Sequence, residues 1–208
     1  MDETRKEGKK EFEPRFTSEL FAWGESLMGV LIAFIIIFTF VVRLFGVDGM
    51  SMYPTLEDRS IMLVSNLGYH PEKGDIVVLR KDGFYSDQPI VKRVIATGGQ
   101  TVDIDFDAGE VYVDGAQLDE PYTFEPTYES YGAYGVSLDY PVTVPEGSIF
   151  VMGDNRNHSA DSRFAPVGCV DESCVLGKVL LIVFPGEQTD QYGSVTGKRQ
   201  FSRIGAAE

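Results

Sequence analysis

Ser51 is the side chain in this sequence whose setting best suits nucleophilic chemistry. It lies between two methionines, with Gly49 two residues before it and Pro54 three residues after it. A serine hydroxyl is a weak nucleophile until a nearby base takes its proton. Glycine and proline also mark ordinary turns, and a serine between them is more often part of a plain connection. A catalytic role for Ser51 therefore requires a partner base elsewhere in the chain.

Two residues are candidates for that base. His158 lies close in sequence to Asp154 and Asp161, as a Ser-His-Asp triad would need. Lys92 lies in the middle of an apolar stretch, where burial can lower the pKa of an amine enough to leave it neutral. A lysine in a strand can instead protect a sheet edge from aggregation, and the residues alone leave these interpretations open. Because adjacent strand residues point to opposite faces, we expect one of Lys92 and Arg93 to face the interior and the other to find a partner outside.

An apolar run precedes Ser51 and predicts a membrane anchor over residues 21–47. Residues 27–42 contain only apolar side chains, glycine and threonine, and with the residues that follow they reach the length that crosses a bilayer. Basic residues before the run outnumber those that closely follow it, which places the tail of residues 1–20 in the cytoplasm. No small-x-small site follows the run, so we expect an uncleaved anchor rather than a signal peptide.

The chain after the anchor alternates between short apolar runs and turn residues, which predicts a mainly β catalytic domain over residues 48–185. The predicted strands cover residues 60–64, 75–80, 89–96, 142–152 and 175–185, with a hairpin formed by 101–104 and 110–115. We interpret residues 100–148 as an inserted variable region, within which 117–140 has no assignment. Residues 186–208 are polar and predict a loosely ordered C-terminal tail.

Charge and the metal-binding residue types exclude several classes of function. A formal net charge of −14 at pH 7 would repel nucleic acid, so we expect no DNA or RNA partner. The two histidines, His70 and His158, do not lie at a metal-ligand spacing from Cys169 and Cys174, so we expect no metal and no cofactor. Outside the cell the two cysteines could form a disulfide, and two partly buried free thiols are an equal alternative.

Four motifs, taken together, resemble those of bacterial type I signal peptidases. In chain order they are GMSMYPTL at 49–56, GDIVVL at 74–79, VKRVI at 91–95, and GDNR at 153–156 followed by DSR at 161–163. The resemblance begins at the apolar run and extends to about Phe184. With one N-terminal anchor, the chain is most similar to the Gram-positive branch. The resemblance implies a signal-peptidase-like β-fold catalytic domain with one N-terminal transmembrane helix.

The resemblance also implies a role for each matching residue. Ser51 corresponds to the nucleophile and Lys92 to its general base, a Ser-Lys dyad rather than a triad. Gly49 departs from the pattern, because some members have a serine there whose hydroxyl helps to form the oxyanion hole. Supporting roles fall to Ser159, which would orient the lysine ammonium, to Met52, which would pack beside the nucleophile, and to Asp154, Asp161, Arg93 and Arg163, which would brace the site.

The implied enzyme is a serine endopeptidase, a hydrolase that removes signal peptides from secreted preproteins after a small-x-small site. Its partners would be those preproteins and membrane lipid, and its catalytic domain would lie on the extracytoplasmic side of the cell membrane. A membrane-anchored β-domain that binds envelope components without catalysis is one alternative. A self-cleaving Ser-Lys regulator is another, but such proteins carry a DNA-binding module where this chain has its apolar run, and the acidic charge disfavours it.

Overall fold

The computed structural model describes residues 14–130 and 136–207. The chain forms two compact units, one that ends at Phe40 and one that begins at Val41. The first unit contains helix α1, Pro14–Ile36, which continues as a π-helical turn, Ile37–Val41. Within this helical stretch, Phe21–Thr39 is long and apolar enough to cross a membrane, and none of it is buried inside the protein.

The apolar run ends earlier as a helix than the sequence predicted. Strand β1, Val42–Gly46, belongs to the stretch that we had assigned to the anchor, and it pairs with strand β2, Ile61–Ser65. Its backbone groups bond to a neighbouring strand, so these five residues are part of a sheet and not of a spanning helix. Apolar content alone does not separate the end of a buried strand from the end of a helix, which is why the prediction was wrong here.

The second unit is built from strands, which confirms the prediction of a mainly β fold. Those that follow β2 are β3 (Ile76–Leu79), β4 (Ile90–Thr97), β5 (Thr101–Asp105), β6 (Glu110–Val113), β7 (Ala116–Gln117), β8 (Val142–Thr143), β9 (Ser148–Met152), β10 (Val170–Asp171) and β11 (Val175–Phe184). A seven-stranded antiparallel sheet has the order β1-β2-β11-β3-β4-β9-β10, and a smaller sheet has the order β7-β6-β5-β8.

The smaller sheet is formed within residues 100–148. Strands β5 and β6 make the predicted hairpin, in which Val102 lies opposite Val113. The single strand predicted over residues 142–152 is divided between the two sheets, as β8 and β9. Pro145 has no N–H to donate, and Gly147 adopts a φ of +72° that favours glycine, so the chain turns between the two strands.

Both faces of strand β4 are covered, which differs from our expectation for Lys92 and Arg93. Lys92 is 3% exposed and Arg93 is 5% exposed, although the two side chains leave opposite faces of the strand. β4 lies between β3 and β9 in the centre of the large sheet, and Arg93 finds its partner, Asp154, inside the protein. Side chains alternate along a strand, so Lys92 and Arg93 point to opposite faces as expected, but this alternation does not show that the outer face is also buried.

The C-terminal segment, residues 186–207, is ordered against the second unit, so the prediction of a loose tail was wrong. Thr189 is buried. Gly205 exchanges backbone hydrogen bonds with Ile182 of β11, at 2.7 and 3.2 Å. Phe201–Arg203 forms a single 3-10 turn. Their polar composition predicted that these residues would be exposed to solvent. They instead form hydrogen bonds with the backbone of β11 and with buried side chains of the second unit.

Candidate active site

Ser51 and Lys92 are adjacent in space although 41 residues separate them. Ser51 lies in the irregular loop after β1, and Lys92 lies in β4 opposite Val77 of β3. The Lys92 Nζ donates hydrogen bonds to the Ser51 Oγ, at 2.7 Å, and to the Val91 carbonyl oxygen, at 2.8 Å. An uncharged amine at the same position can accept the serine proton.

The Lys92 amine is almost completely removed from water. Burial lowers the pKa of Lys92 from 10.5 to about 8, the charges of Asp161 and Asp154 oppose that shift, and the charge of Arg163 adds to it. Burial disfavours the charged form of a group. The neutral amine is therefore far more abundant near neutral pH than it would be on an exposed lysine.

The loop that carries Ser51 is held by its own backbone and by apolar side chains. Leu56 N–H donates to the Met52 carbonyl at 2.8 Å, and Tyr53 N–H donates to the Met50 carbonyl at 3.0 Å. Met52 and Leu56 are buried in a cluster that also contains side chains of β2 and β11. The residues that flank Ser51 are thus held by backbone hydrogen bonds and by the burial of Met52 and Leu56.

Gly49, the position that departs from the family pattern, has a backbone conformation that favours glycine. Its φ is +96°, which side chains of L residues rarely adopt. A Cβ built there would meet nothing within 4 Å, so the backbone angle and not crowding restricts the residue. The Gly49 N–H donates to the Asp58 Oδ1 at 2.8 Å, which closes the start of the loop.

The turn after β9 packs directly against the Ser51 loop. Asn155 N–H donates to the Ser51 carbonyl at 3.1 Å, and the Asn155 Nδ2 donates to the Met50 carbonyl at 3.1 Å. A Cβ on Gly153 would collide with the Ser51 carbonyl oxygen and with Ser159. A residue without a side chain at position 153 therefore permits the close approach of these two segments.

A buried ion pair braces the far side of this turn. The Arg93 guanidinium donates to both carboxylate oxygens of Asp154, at 2.8 and 2.7 Å, and Asp154 also accepts a hydrogen bond of 2.5 Å from the Thr55 hydroxyl. The Tyr122 ring lies over the guanidinium, with 3.9 Å between the ring centre and the Arg93 Cζ. This bidentate pair links β4, the turn after β9 and the Ser51 loop.

A second buried ion pair lies on the Ser159 side. The Asp161 carboxylate accepts from the Arg163 guanidinium at 2.9 Å and from the Gly153 N–H at 2.9 Å. Burial alone would raise the pKa of Asp161, but the Arg163 charge and these hydrogen bonds outweigh it and hold that pKa below its ordinary value. The buried Ser159 hydroxyl also hydrogen-bonds Asp161, so it lies next to the charge that faces Lys92.

Ser51 and Lys92 line a cleft of about 400 Å³. Its lining includes Gly46 at the end of β1, residues 47–50 of the loop that follows, and residues 88–91 around the start of β4. Phe84 also lines this cleft. Two chain segments with a space between them are suited to hold an extended peptide.

His158, the alternative base, lies on the rim of that cleft and is exposed. Its ring packs edge-on against Tyr192, with 5.0 Å between the ring centres. The carboxylates that a triad would need are committed to other cations, Asp154 to Arg93 and Asp161 to Arg163. The geometry therefore favours Lys92 over His158 as the partner of Ser51.

Metal-binding residue types are dispersed in the described parts of the chain. Residues 14–130 and 136–207 contain no group of three or more histidine, cysteine, aspartate or glutamate side chains that could hold an ion. Cys169 and Cys174 are both partly buried free thiols, which is the second of the two alternatives that the sequence left open.

Comparison with known proteins places this sequence in a family. The sequence matches the family model described as signal peptidase, peptidase S26, over residues 20–184. That span contains the Ser51 loop and the Lys92 strand. The chain belongs to the signal peptidase family. Beyond residue 184, the C-terminal segment lies outside the matched signal peptidase region.

Two curated relatives agree with the family assignment. A probable signal peptidase I-1 of Synechocystis sp. is 37% identical over 179 residues, which cover 82% of this chain and 85% of the relative. Signal peptidase I of Bacillus licheniformis is 37% identical over 174 residues, covering 81% of this chain and 90% of the relative. A crystal structure of a signal peptidase I from Enterococcus faecalis is 29% identical and covers 53% of this chain and 97% of that chain, with a TM-score of 0.40.

Three side chains near the signal peptidase site were not singled out from the sequence. Thr55 and Asn155 lie inside the quoted motifs, so their neighbourhood was visible but their hydrogen bonds were not. Tyr122 belongs to residues 117–140, which had no assignment, and nothing in their composition points to a ring over Arg93. Residues 131–135 of that stretch lie outside the described residues.

Proposed function

We propose that this signal peptidase is a membrane-anchored serine endopeptidase that removes signal peptides from secreted preproteins, with Ser51 and Lys92 as its catalytic dyad. The observation that carries the proposal is a buried amine 2.7 Å from a serine hydroxyl. A pKa of about 8 for Lys92 suits a general base, because a catalytic base works best when its pKa lies near the operating pH.

The dyad would act in two half-reactions. Neutral Lys92 takes the proton of Ser51 while the Ser51 Oγ attacks the scissile carbonyl carbon and forms a new C–O bond. The tetrahedral intermediate collapses, the C–N bond breaks, and the lysine ammonium gives its proton to the departing amine of the mature protein. A water molecule, deprotonated by Lys92, then attacks the acyl-enzyme ester. The signal peptide leaves with a new carboxylate, and Ser51 regains its proton.

The two ion pairs would hold the dyad in place without touching the substrate. Asp154 and Arg93 connect the strand of Lys92 to the loop of Ser51. Asp161 and Arg163 fix the segment that carries Ser159, which we propose orients the lysine ammonium. Fixed positions matter because a nucleophile and its base react fast only within a narrow range of separations.

Charge on the tetrahedral intermediate would be stabilised mainly by the backbone. Gly49 offers no side-chain donor, and its N–H already donates to Asp58. We therefore assign the oxyanion to the backbone N–H of Ser51, aided by a second donor that the substrate-bound enzyme would recruit.

The substrate would bind as an extended strand in the cleft between residues 46–50 and 88–91. Backbone groups of the two walls could pair with the peptide, and alternate side chains would point towards the protein. Phe84, Ile90 and Val91 give the cleft an apolar lining. A space of about 400 Å³ shared among several peptide residues favours small side chains near the scissile bond, in agreement with a small-x-small preference.

Helix α1 would tether the enzyme to the membrane. Its apolar stretch, Phe21–Thr39, has the length of a span, and the basic residues before it favour a cytoplasmic N-terminus. The catalytic unit would then lie on the extracytoplasmic side. A tether raises the local concentration of preproteins that emerge at the same surface.

The test is cleavage of a preprotein by the detergent-solubilised full chain, with the product identified by mass spectrometry. We expect a mature protein from the wild type and none from Ser51→Ala or Lys92→Ala. Ser65→Ala and Lys178→Ala are matched controls, because Ser65 bonds the Val41 carbonyl and Lys178 pairs with Asp75, and neither contact involves the dyad. Both controls should cleave normally.

Two results would contradict the proposal. Cleavage at the wild-type rate by Ser51→Ala or Lys92→Ala would exclude the dyad. A folded wild type that leaves every preprotein intact would favour a binding domain without catalysis.

A further inference from the structure

The C-terminal segment, residues 186–207, contacts the loop that carries Ser51, although it lies beyond the region matched by the signal peptidase family. The loop, residues 48–60, has turns but no helix or strand. Backbone hydrogen bonds within the loop, its buried apolar side chains and contacts to other segments together fix its shape. The C-terminal segment makes several of these contacts.

Arg203 makes the most extensive of these contacts. Its Nη2 donates to the carbonyl oxygens of Pro54 and Thr55, both at 2.6 Å, and its Nη1 donates to the Glu57 Oε1 at 2.8 Å. One planar guanidinium thus binds three groups within four residues of the loop. A rigid fork of donors of this kind fixes geometry more strongly than a single flexible contact does.

Glu57 joins Arg203 to a second point of the segment. Its other carboxylate oxygen, Oε2, accepts from the Thr189 hydroxyl at 2.8 Å and from the Thr189 N–H at 3.2 Å. Glu57 is 6% exposed and Thr189 is 7% exposed, so these bonds form away from water. Gly186 N–H adds a bond of 2.9 Å to the Ser60 hydroxyl at the end of the loop.

The segment also reaches the residue before Ser51. The Asn155 Nδ2 donates to the Met50 carbonyl at 3.1 Å and to the Gln191 carbonyl at 3.0 Å, so one amide joins the loop to the segment. The Thr189 hydroxyl lies 3.5 Å from the Met50 sulfur. Contacts from the segment therefore lie on both sides of Ser51 in the sequence.

We propose that the C-terminal segment positions the Ser51 nucleophile, with Arg203 as the principal positioning residue. The inference rests on the proposed function, because it concerns the placement of Ser51 for the reaction with Lys92. Arg203 touches neither the dyad nor the cleft in these contacts. It acts through the carbonyl groups of the chain that follows Ser51.

The test compares Arg203→Ala and Arg203→Lys with a control, Arg199→Ala, in the detergent-solubilised full chain. Arg199 belongs to the same segment but donates to the Pro185 carbonyl and stacks on Phe184. For Arg203→Ala we expect kcat to fall by about 10- to 100-fold, as misplacement of a reacting group by about 1 Å can do. KM and the pKa of the pH–rate profile should stay close to those of the wild type. Arg203→Lys should recover part of kcat, and Arg199→Ala should keep all of it.

Two further measurements separate positioning from a general loss of folding. Added guanidinium ion should restore part of the kcat of Arg203→Ala and should not affect Arg199→Ala. The methyl resonance of Met50, observed by NMR, should shift in Arg203→Ala and stay in place in Arg199→Ala. The Met50 shift does not depend on activity, so it tests the inference even if no preprotein is cleaved.

Either of two results would overturn the inference. One is a folded Arg203→Ala with the kcat of the wild type and an unchanged Met50 resonance. The other is a loss of kcat that disappears once rates are divided by the folded fraction measured by circular dichroism.

Discussion

Replacing Lys92 with methionine tests whether the buried amine is held at an energetic cost. Methionine has a similar length and no charge, so the change removes the buried ammonium with little change in packing. A pKa lowered from 10.5 to about 8 means that the folded protein disfavours the protonated form, and each pKa unit is worth about 1.4 kcal/mol. At neutral pH, protonated Lys92 should therefore lower the free energy of unfolding by about 3 kcal/mol.

The dependence on pH distinguishes this cost from other effects of the substitution. Below pH 8 both the folded and the unfolded protein bind the proton, and the cost is fully present. Between about pH 8 and 10.5 only the unfolded chain binds it, so wild-type stability gains with pH across that window. The hydrogen bonds from Lys92 to Ser51 and Val91 contribute about 1 kcal/mol each, and the part of this contribution that does not change with pH cancels in the comparison.

The assay is urea unfolding of the detergent-solubilised full chain, followed by far-ultraviolet circular dichroism. We expect the stability of Lys92→Met relative to the wild type to fall by about 2 to 3 kcal/mol from about pH 7 to about pH 10. Lys178→Met is the control, because the Lys178 side chain is 38% exposed. Its stability relative to the wild type should not fall in this way. Parallel curves for Lys92→Met and the wild type would refute the reasoning.

Three other substitutions test the remaining parts of the site. His158→Ala should keep most of the preprotein cleavage, because His158 is exposed and the neighbouring carboxylates pair with arginines; loss of cleavage would favour a triad. Gly49→Ser should lower the free energy of unfolding, measured in urea, by about 1 kcal/mol or more, because the φ of Gly49 is +96°. Gly46→Ser is the control: a Cβ at either position would meet nothing within 4 Å, and Gly46→Ser should cost less. Arg93→Met should lower the free energy of unfolding by about 3 to 5 kcal/mol, because it leaves Asp154 buried without its cation. Adding Asp154→Leu should recover part of that loss, and equal stability of the single and double variants would contradict the role of the pair.

Much of the architecture follows from local patterns. Apolar runs bounded by Gly, Pro and Asp predicted the central strands, and the hairpin of β5 and β6 is paired as expected. Ser51 and Lys92 could be singled out because their motifs are local, and the fold places the two side chains in contact. The Ser159 interaction with Lys92 and the catalytic roles of the site residues stay predictions.

The errors share a physical cause, which is that burial depends on residues distant in sequence. Val42–Gly46 are apolar enough for a helix end, and only β2 makes them a strand. Arg93 is charged, and partners distant in sequence such as Asp154 and Tyr122 allow it to be buried. Polar residues such as Arg203 suggested a solvated tail until their acceptors were known. Composition and the spacing of apolar residues describe a segment itself, but they do not show which distant residues will cover it.

The pH dependence of kcat/KM for preprotein cleavage tests the central claim most directly, because it reports the protonation of the base in the free enzyme. If neutral Lys92 activates Ser51, cleavage should rise about tenfold per pH unit on the acidic side and level off above an apparent pKa of about 8. His158→Ala should give the same curve. A rising limb centred near about 6.5, the ordinary value for histidine, that disappears in His158→Ala would contradict the dyad.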